Sequence, residues 1–175
     1  MKKLQIPFFI AGTIIMIIIM SRTGKPLKTA STPAGIVNLE FAYNTVKVDS
    51  VFKAWGTGST GSKIEVAKTN TYWDFLFIFF YAGLLFLSCR YLSGIYREGT
   101  GFHKAGKLFA KLALFAGGFD IIENGCMLQS LNGNGSNFLA GTAASCAGIK
   151  FTFLVLAVFY IFIALPLAAY AKVRK

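Results

Sequence analysis

Four apolar stretches, roughly residues 4–20, 73–92, 108–131 and 151–170, are each long enough to cross about 30 Å of hydrocarbon as a helix rising about 1.5 Å per residue. That feature limits the chain to a fold that satisfies its backbone polar groups inside lipid, as membrane-spanning helices do. The expected fold is all-α: a four-transmembrane-helix bundle forming one integral membrane domain over residues 1–175. Hydrophobic residues make up 55% of the chain, too many for an ordinary water-soluble domain.

The first stretch follows "MKK", as a signal peptide would, but "IIIMSRTGKP" offers no pair of small residues for a signal peptidase, so an uncleaved anchor is expected. Four spans put both ends on one side. Ten of the eighteen Lys and Arg residues fall in the segments then assigned inside, which favours cytoplasmic termini in a bacterial inner membrane. Net charge is +11, but the lysines are dispersed and no nucleic-acid module is recognisable. Anionic membrane lipids are the expected partners, and no nucleic acid.

The one sizeable extramembrane segment, residues 21–72, is expected to form a small helical cap. In "STPAGIVNLEFAYN", Thr32 is placed to cap a helix begun by Pro33; in "DSVFKAWG", Asp49 is placed to cap a second helix that Gly56 stops. "TVKV" alternates and fits a strand as well. Two helices this short cannot bury a core alone, so Phe52 and Trp55 are expected to face the membrane surface or the tops of the spans. "GTGSTGS", residues 56–62, reads as a flexible connector, the 93–107 loop as short and basic, and the loop beginning at Asn132 as irregular.

"FAGGFDIIENGC" places Asp120, Glu123 and Asn124 in the middle of an apolar helix. Their i, i+3, i+4 spacing puts them on one face, and a carboxylate near the bilayer centre costs about 2.5 to 3.5 kcal/mol on insertion scales, so that face must look into the bundle. Ala113, Ala116, Gly117 and Gly118 nearby allow a neighbouring helix to approach. Counting down from the outer helix ends puts Asp74, Asp120, Glu123, Asn124 and Lys150 in one polar column in the outer half. Glu40 lies above it, and Lys150 about 7 Å below a helix start near Ser145. Either the column is an internal strut in which Lys150 pairs with Glu123 or Asp120, or its surplus carboxylates bind something. The candidates for the latter are a divalent cation held by oxygens, a proton, or an amine or lipid head group.

The inventory excludes much else. His103 is the one histidine, expected in solvent in the inner loop, which rules out multi-histidine zinc, di-iron and bis-histidine haem chemistry. Cys89, Cys126 and Cys146 have no CxxC spacing. Cys126 and Cys146 are a candidate disulfide pair if the outer side is oxidising, and otherwise small packing residues; Cys89 is expected to be a reduced packing residue. No phosphate loop, dinucleotide fingerprint or nucleophile elbow occurs, and no cofactor is implied.

"GIVNLEFA" with Glu40 and Ala42, Trp55, "DFLFIFFY" at 74–81 and "AGGFDIIEN" at 116–124 together resemble the recurring signatures of a group of small bacterial four-span membrane proteins with no assigned activity. The likeness spans most of residues 33–124 and implies a topology and a set of polar residues, without a reaction. The expected role is non-enzymatic: an accessory or small transporter-like protein whose outer cavity holds a cation or polar head group. The competing expectations are a structural subunit of a larger membrane complex and an acid/base enzyme acting on lipid through Asp120 or Glu123.

Overall fold

The computed structural model describes residues 5–56 and 63–173. Residues 57–62 of the connector expected at 56–62, and Lys2, Lys3, Arg174 and Lys175 at the two ends, lie outside the described residues. Six α-helices follow in order: α1 (Gln5–Gly24), α2 (Val37–Glu40), α3 (Thr45–Trp55), α4 (Lys63–Ile95), α5 (Gly101–Leu131) and α6 (Asn137–Val173), with one turn of 3-10 helix, Lys25–Leu27, after α1. The fold is all-α, and the chain is a membrane protein: among the described residues three helical segments, Gln5–Leu27, Lys63–Ile95 and Asn137–Tyr170, are long and apolar enough to cross a membrane. α5, which carries Lys111, Asp120 and Glu123, is not one of the three.

The helices overrun the apolar stretches that identify them. At about 1.5 Å per residue, α4 is roughly 50 Å long and α6 roughly 55 Å, well beyond the hydrocarbon thickness. The loop between α4 and α5 is therefore residues 96–100 alone, with Thr100 capping α5 through a hydrogen bond from the His103 backbone N–H. The loop between α5 and α6 shrinks to residues 132–136, because α6 begins at Asn137 and runs through the "NFLAGTAAS" expected to be irregular.

α5 packs against both α4 and α6 along its length, and α1 lies against α4. The α1–α4 contact is reciprocal. A Cβ on Gly12 would run into the Phe80 ring, and a Cβ on Gly83 into the Phe9 ring, so each helix offers a glycine notch to the other's aromatic side chain. Farther along the same seam Asn70, fully buried, donates to Thr23 Oγ1 at 2.7 Å and to the Met20 carbonyl at 3.2 Å. Ala113, Ala116 and Gly117 are buried between helices as expected, whereas Gly118 faces outward with open space around it.

The cap differs from its expected form at both helix starts. Thr32 caps nothing, because its hydroxyl donates to the Leu27 carbonyl at 2.9 Å; residues 33–36 are turns through Gly35 (φ +65°), and helix begins only at Val37. α3 begins at Thr45, so "TVKV" is helix, and its cap is Asn44, which accepts from the Lys47 N–H at 2.9 Å; Asp49 lies inside it. Gly56 ends α3 as expected, at φ +79°, which a side chain would resist. Of the two supports considered for the cap, the helix tops are the one observed. Trp55 is buried with Leu27, Leu39, Ala67, Met127 and Leu131, its indole N–H donating to the Leu27 carbonyl at 2.9 Å. Asn137, at the start of α6, accepts from both the backbone and the hydroxyl of Thr45 and so ties the cap to the bundle.

Candidate functional site

Four of the chain's seven carboxylates, Glu40, Asp74, Asp120 and Glu123, meet around Lys150 and Asn124. α5 supplies Asp120, Glu123 and Asn124 on its buried face, while Ile121 and Ile122 on the same turn are exposed. α6 supplies Lys150, α4 supplies Asp74 and Tyr81, and the last residue of α2 supplies Glu40. The longer α6 explains the meeting. Counted from Asn137, Lys150 lies roughly 20 Å along the helix, not the expected 7 Å, and Asp120 lies roughly 16 Å from the end of α5, so the two come level.

Lys150 Nζ sits 2.6 Å from Asp120 Oδ1, 2.9 Å from Glu123 Oε1 and 3.5 Å from Glu40 Oε2. Asp120 uses its second oxygen to accept from the Tyr81 hydroxyl at 2.6 Å. Asn124 Nδ2 donates to Asp74 Oδ2 at 2.7 Å. Glu123 and Asn124 are 0% exposed, Lys150 4% and Glu40 7%. All six expected residues are therefore brought together. Tyr81 is the member that sequence reasoning missed; it stands seven residues, two helical turns, after Asp74 and so on the same face of α4, which was the available signal.

Satisfaction is uneven. Both oxygens of Asp120 are engaged, but Glu40 Oε2, Glu123 Oε2 and Asn124 Oδ1 are buried without a hydrogen-bond partner. All three are acceptors. Burial, opposed by Lys150 and reinforced by Asp120, pushes the Glu40 carboxyl above its ordinary value. Asp120 and Glu123 thus act first as the anchors of Lys150. Glu40, Asp74, Asp120 and Lys150 line a cavity of about 460 Å³ that lies between α1 and α6 with α4 behind it. Glu123 and Asn124 stand behind that wall.

Other expected residues fall outside this site. Cys126 and Cys146 are free thiols, as is the fully buried Cys89. His103 is not a solvated loop residue: it lies in the first turn of α5, half-buried, its Nδ1 2.9 Å from the Ser93 carbonyl, while the Ser93 hydroxyl donates to the His103 carbonyl at 2.8 Å. No three His, Cys, Asp or Glu side chains among the described residues are grouped so as to hold a metal ion. No protein family, curated protein or solved structure matches this chain.

Proposed function

We propose that the chain is a non-enzymatic, multi-pass protein of the bacterial inner membrane that binds a polar head group in the acidic cavity of its outer half, as an accessory or small transporter-like protein. One observation carries the reading. A single carboxylate would neutralise Lys150, yet three, Glu40, Asp120 and Glu123, are buried around it with Asp74 half-buried beside them, and each surplus carboxylate taken out of water costs stability that packing alone would not repay. A strut has no use for that surplus; a site for a hydrogen-bond donor does.

α5 completes the reading as a fourth span. Its polar side chains face the interior while Leu108, Leu114, Phe115, Ile121 and Ile122 are exposed, as a helix between lipid and a polar interior requires. Both termini are then cytoplasmic and the cap outside. A head group is favoured over a divalent cation because the lysine occupies the centre of the carboxylate ring, where a cation would have to sit.

The test is thermal unfolding of the purified protein against ethanolamine, choline, Ca²⁺ and Mg²⁺, run beside Glu40→Gln and Asp74→Asn. The expected result is a shift with an amine in the wild type that both variants lose. A shift with Ca²⁺ or Mg²⁺ alone would replace the head group by a metal, and no shift with any of them would leave the cluster as a strut.

A further inference from the structure

The carboxylates form only one end of their cavity. On α4 its lining runs from Asp74 to Leu85, eleven residues or roughly 16 Å, and on α6 from Lys150 to Val158, roughly 12 Å. Over that length the wall changes character. Beyond the charged end it is mostly apolar, with Phe77, Leu84, Leu85, Leu154 and Val158, interrupted by Tyr81, whose hydroxyl is taken by Asp120, and by the Thr13 hydroxyl, which is buried without a partner. The slot is thus about as long as one leaflet of a 30 Å hydrocarbon core is deep. Phe151 and Val158 on its α6 wall are themselves exposed, so the slot communicates sideways with the surroundings of the bundle.

At the charged end Glu40 is more than nine-tenths buried, lies on the cavity wall and has its Oε2 3.5 Å from Lys150 Nζ, an ion-pair distance that leaves the oxygen without a hydrogen-bond partner. Behind it the other unpartnered atoms, Glu123 Oε2 and Asn124 Oδ1, are acceptors too. A guest that completes this end must donate hydrogen bonds, and positive charge on it would offset the carboxylate excess. A guest that fills the remainder must be mainly hydrocarbon, since Thr13 Oγ1 is, among the described residues, the one unpartnered polar atom on that part of the wall.

We infer that the cavity holds one amphiphile, an alkylammonium whose single hydrocarbon chain lies along the apolar slot and whose ammonium donates to Glu40 and Asp74, entering from the lipid between α1 and α6. This rests on the head-group reading above and adds the chain. The same chemistry is presented by a free long-chain amine and by phosphatidylethanolamine with one of its chains in the slot.

The experiment is thermal unfolding in phosphatidylcholine nanodiscs with dodecylamine, dodecanol or ethanolamine, for the wild type, Glu40→Gln and Leu154→Trp, the last filling the slot without touching a polar group. Dodecylamine at saturation is expected to raise the wild-type melting temperature by about 5 °C, and dodecanol to leave it unchanged. Glu40→Gln and Leu154→Trp should both lose the dodecylamine shift, Leu154→Trp keeping any weaker response to ethanolamine. Should Leu154→Trp not fold, Val158→Trp at the rim serves the same purpose. An ethanolamine shift equal to that of dodecylamine, or a dodecylamine shift that survives in the slot variant, overturns the chain-binding inference and leaves the head-group reading standing; no shift with either amine overturns both. Discs containing phosphatidylethanolamine then assign the source: stabilisation there, lost in Leu154→Trp, supports the lipid, and stabilisation by dodecylamine alone supports the free amine.

Discussion

The half of the bundle beside the cap, outer in the proposed topology, and the half beyond it, inner in that topology, are built from the same three helices, α4, α5 and α6, and handle polarity in opposite ways. In the inner half Cys89, Leu92, Ala110, Ala157 and Ala164 close the core, and the hydroxyls end on backbone carbonyls, Tyr160 on Phe102 at 3.0 Å, Tyr96 on Ala164 and Ser93 on His103, with His103 Nε2 the one buried polar atom left without a partner among the described residues of that half. In the outer half the groups around Lys150 bond to one another, side chain to side chain, and three acceptors of that cluster are left over. Carbonyl-terminated hydroxyls add packing precision at little cost. A side-chain network with unmet acceptors is costly in a low-dielectric interior, and marks the half in which something besides folding is being served.

The largest expected difference between the halves comes from Lys150→Met, which keeps an unbranched side chain only one atom shorter and removes its charge. Asp120, Glu123 and Glu40 lose their shared cation, and a loss of about 3–5 kcal/mol is expected in reversible unfolding. A loss under about 1 kcal/mol would mean that charge does not hold the outer half together. A matched pair of hydroxyl deletions sharpens the contrast. Tyr81→Phe removes a bond to a carboxylate and should cost about 1.5–3 kcal/mol, whereas Tyr160→Phe removes one to a neutral carbonyl and should cost about 0.5–1.5 kcal/mol. Equal losses would erase the distinction. The smallest effect concerns pH. The fold raises the Glu40 carboxyl, so its contribution is fully present below the ordinary value of 4.5 and is lost as pH rises through the folded value. Wild-type stability measured against Glu40→Gln, which stays neutral, should therefore fall as pH rises above 4.5; a flat difference would contradict the burial of Glu40.

The polar column was legible in the sequence because cost and spacing point the same way. Asp120, Glu123 and Asn124 cannot face lipid, and counting along helices put Asp74, Lys150 and Glu40 near them. The depth of Lys150 was misjudged because α6 begins eight residues before Ser145, in Gly-, Ala- and Ser-rich sequence whose composition suits a loop as well as a helix. The cap's helix starts were displaced for a related reason. Thr32 and Asp49 are good caps by residue type, but Leu27 and the indole of Trp55 claim the Thr32 hydroxyl, and that contact between positions far apart in the chain has no local signature. Nor has the cavity, whose two flanks come from α1 and α6, at opposite ends of the sequence.

Native mass spectrometry of the chain released gently from its own membrane, with no ligand added, tests most directly whether the outer half is a site. The expected result is one amine-bearing amphiphile retained per chain, with retention lost in Glu40→Gln. A bare chain, or lipids carried equally by the wild type and Glu40→Gln, would contradict it and leave Asp120, Glu123 and Lys150 as the strut of a bundle whose partners are proteins.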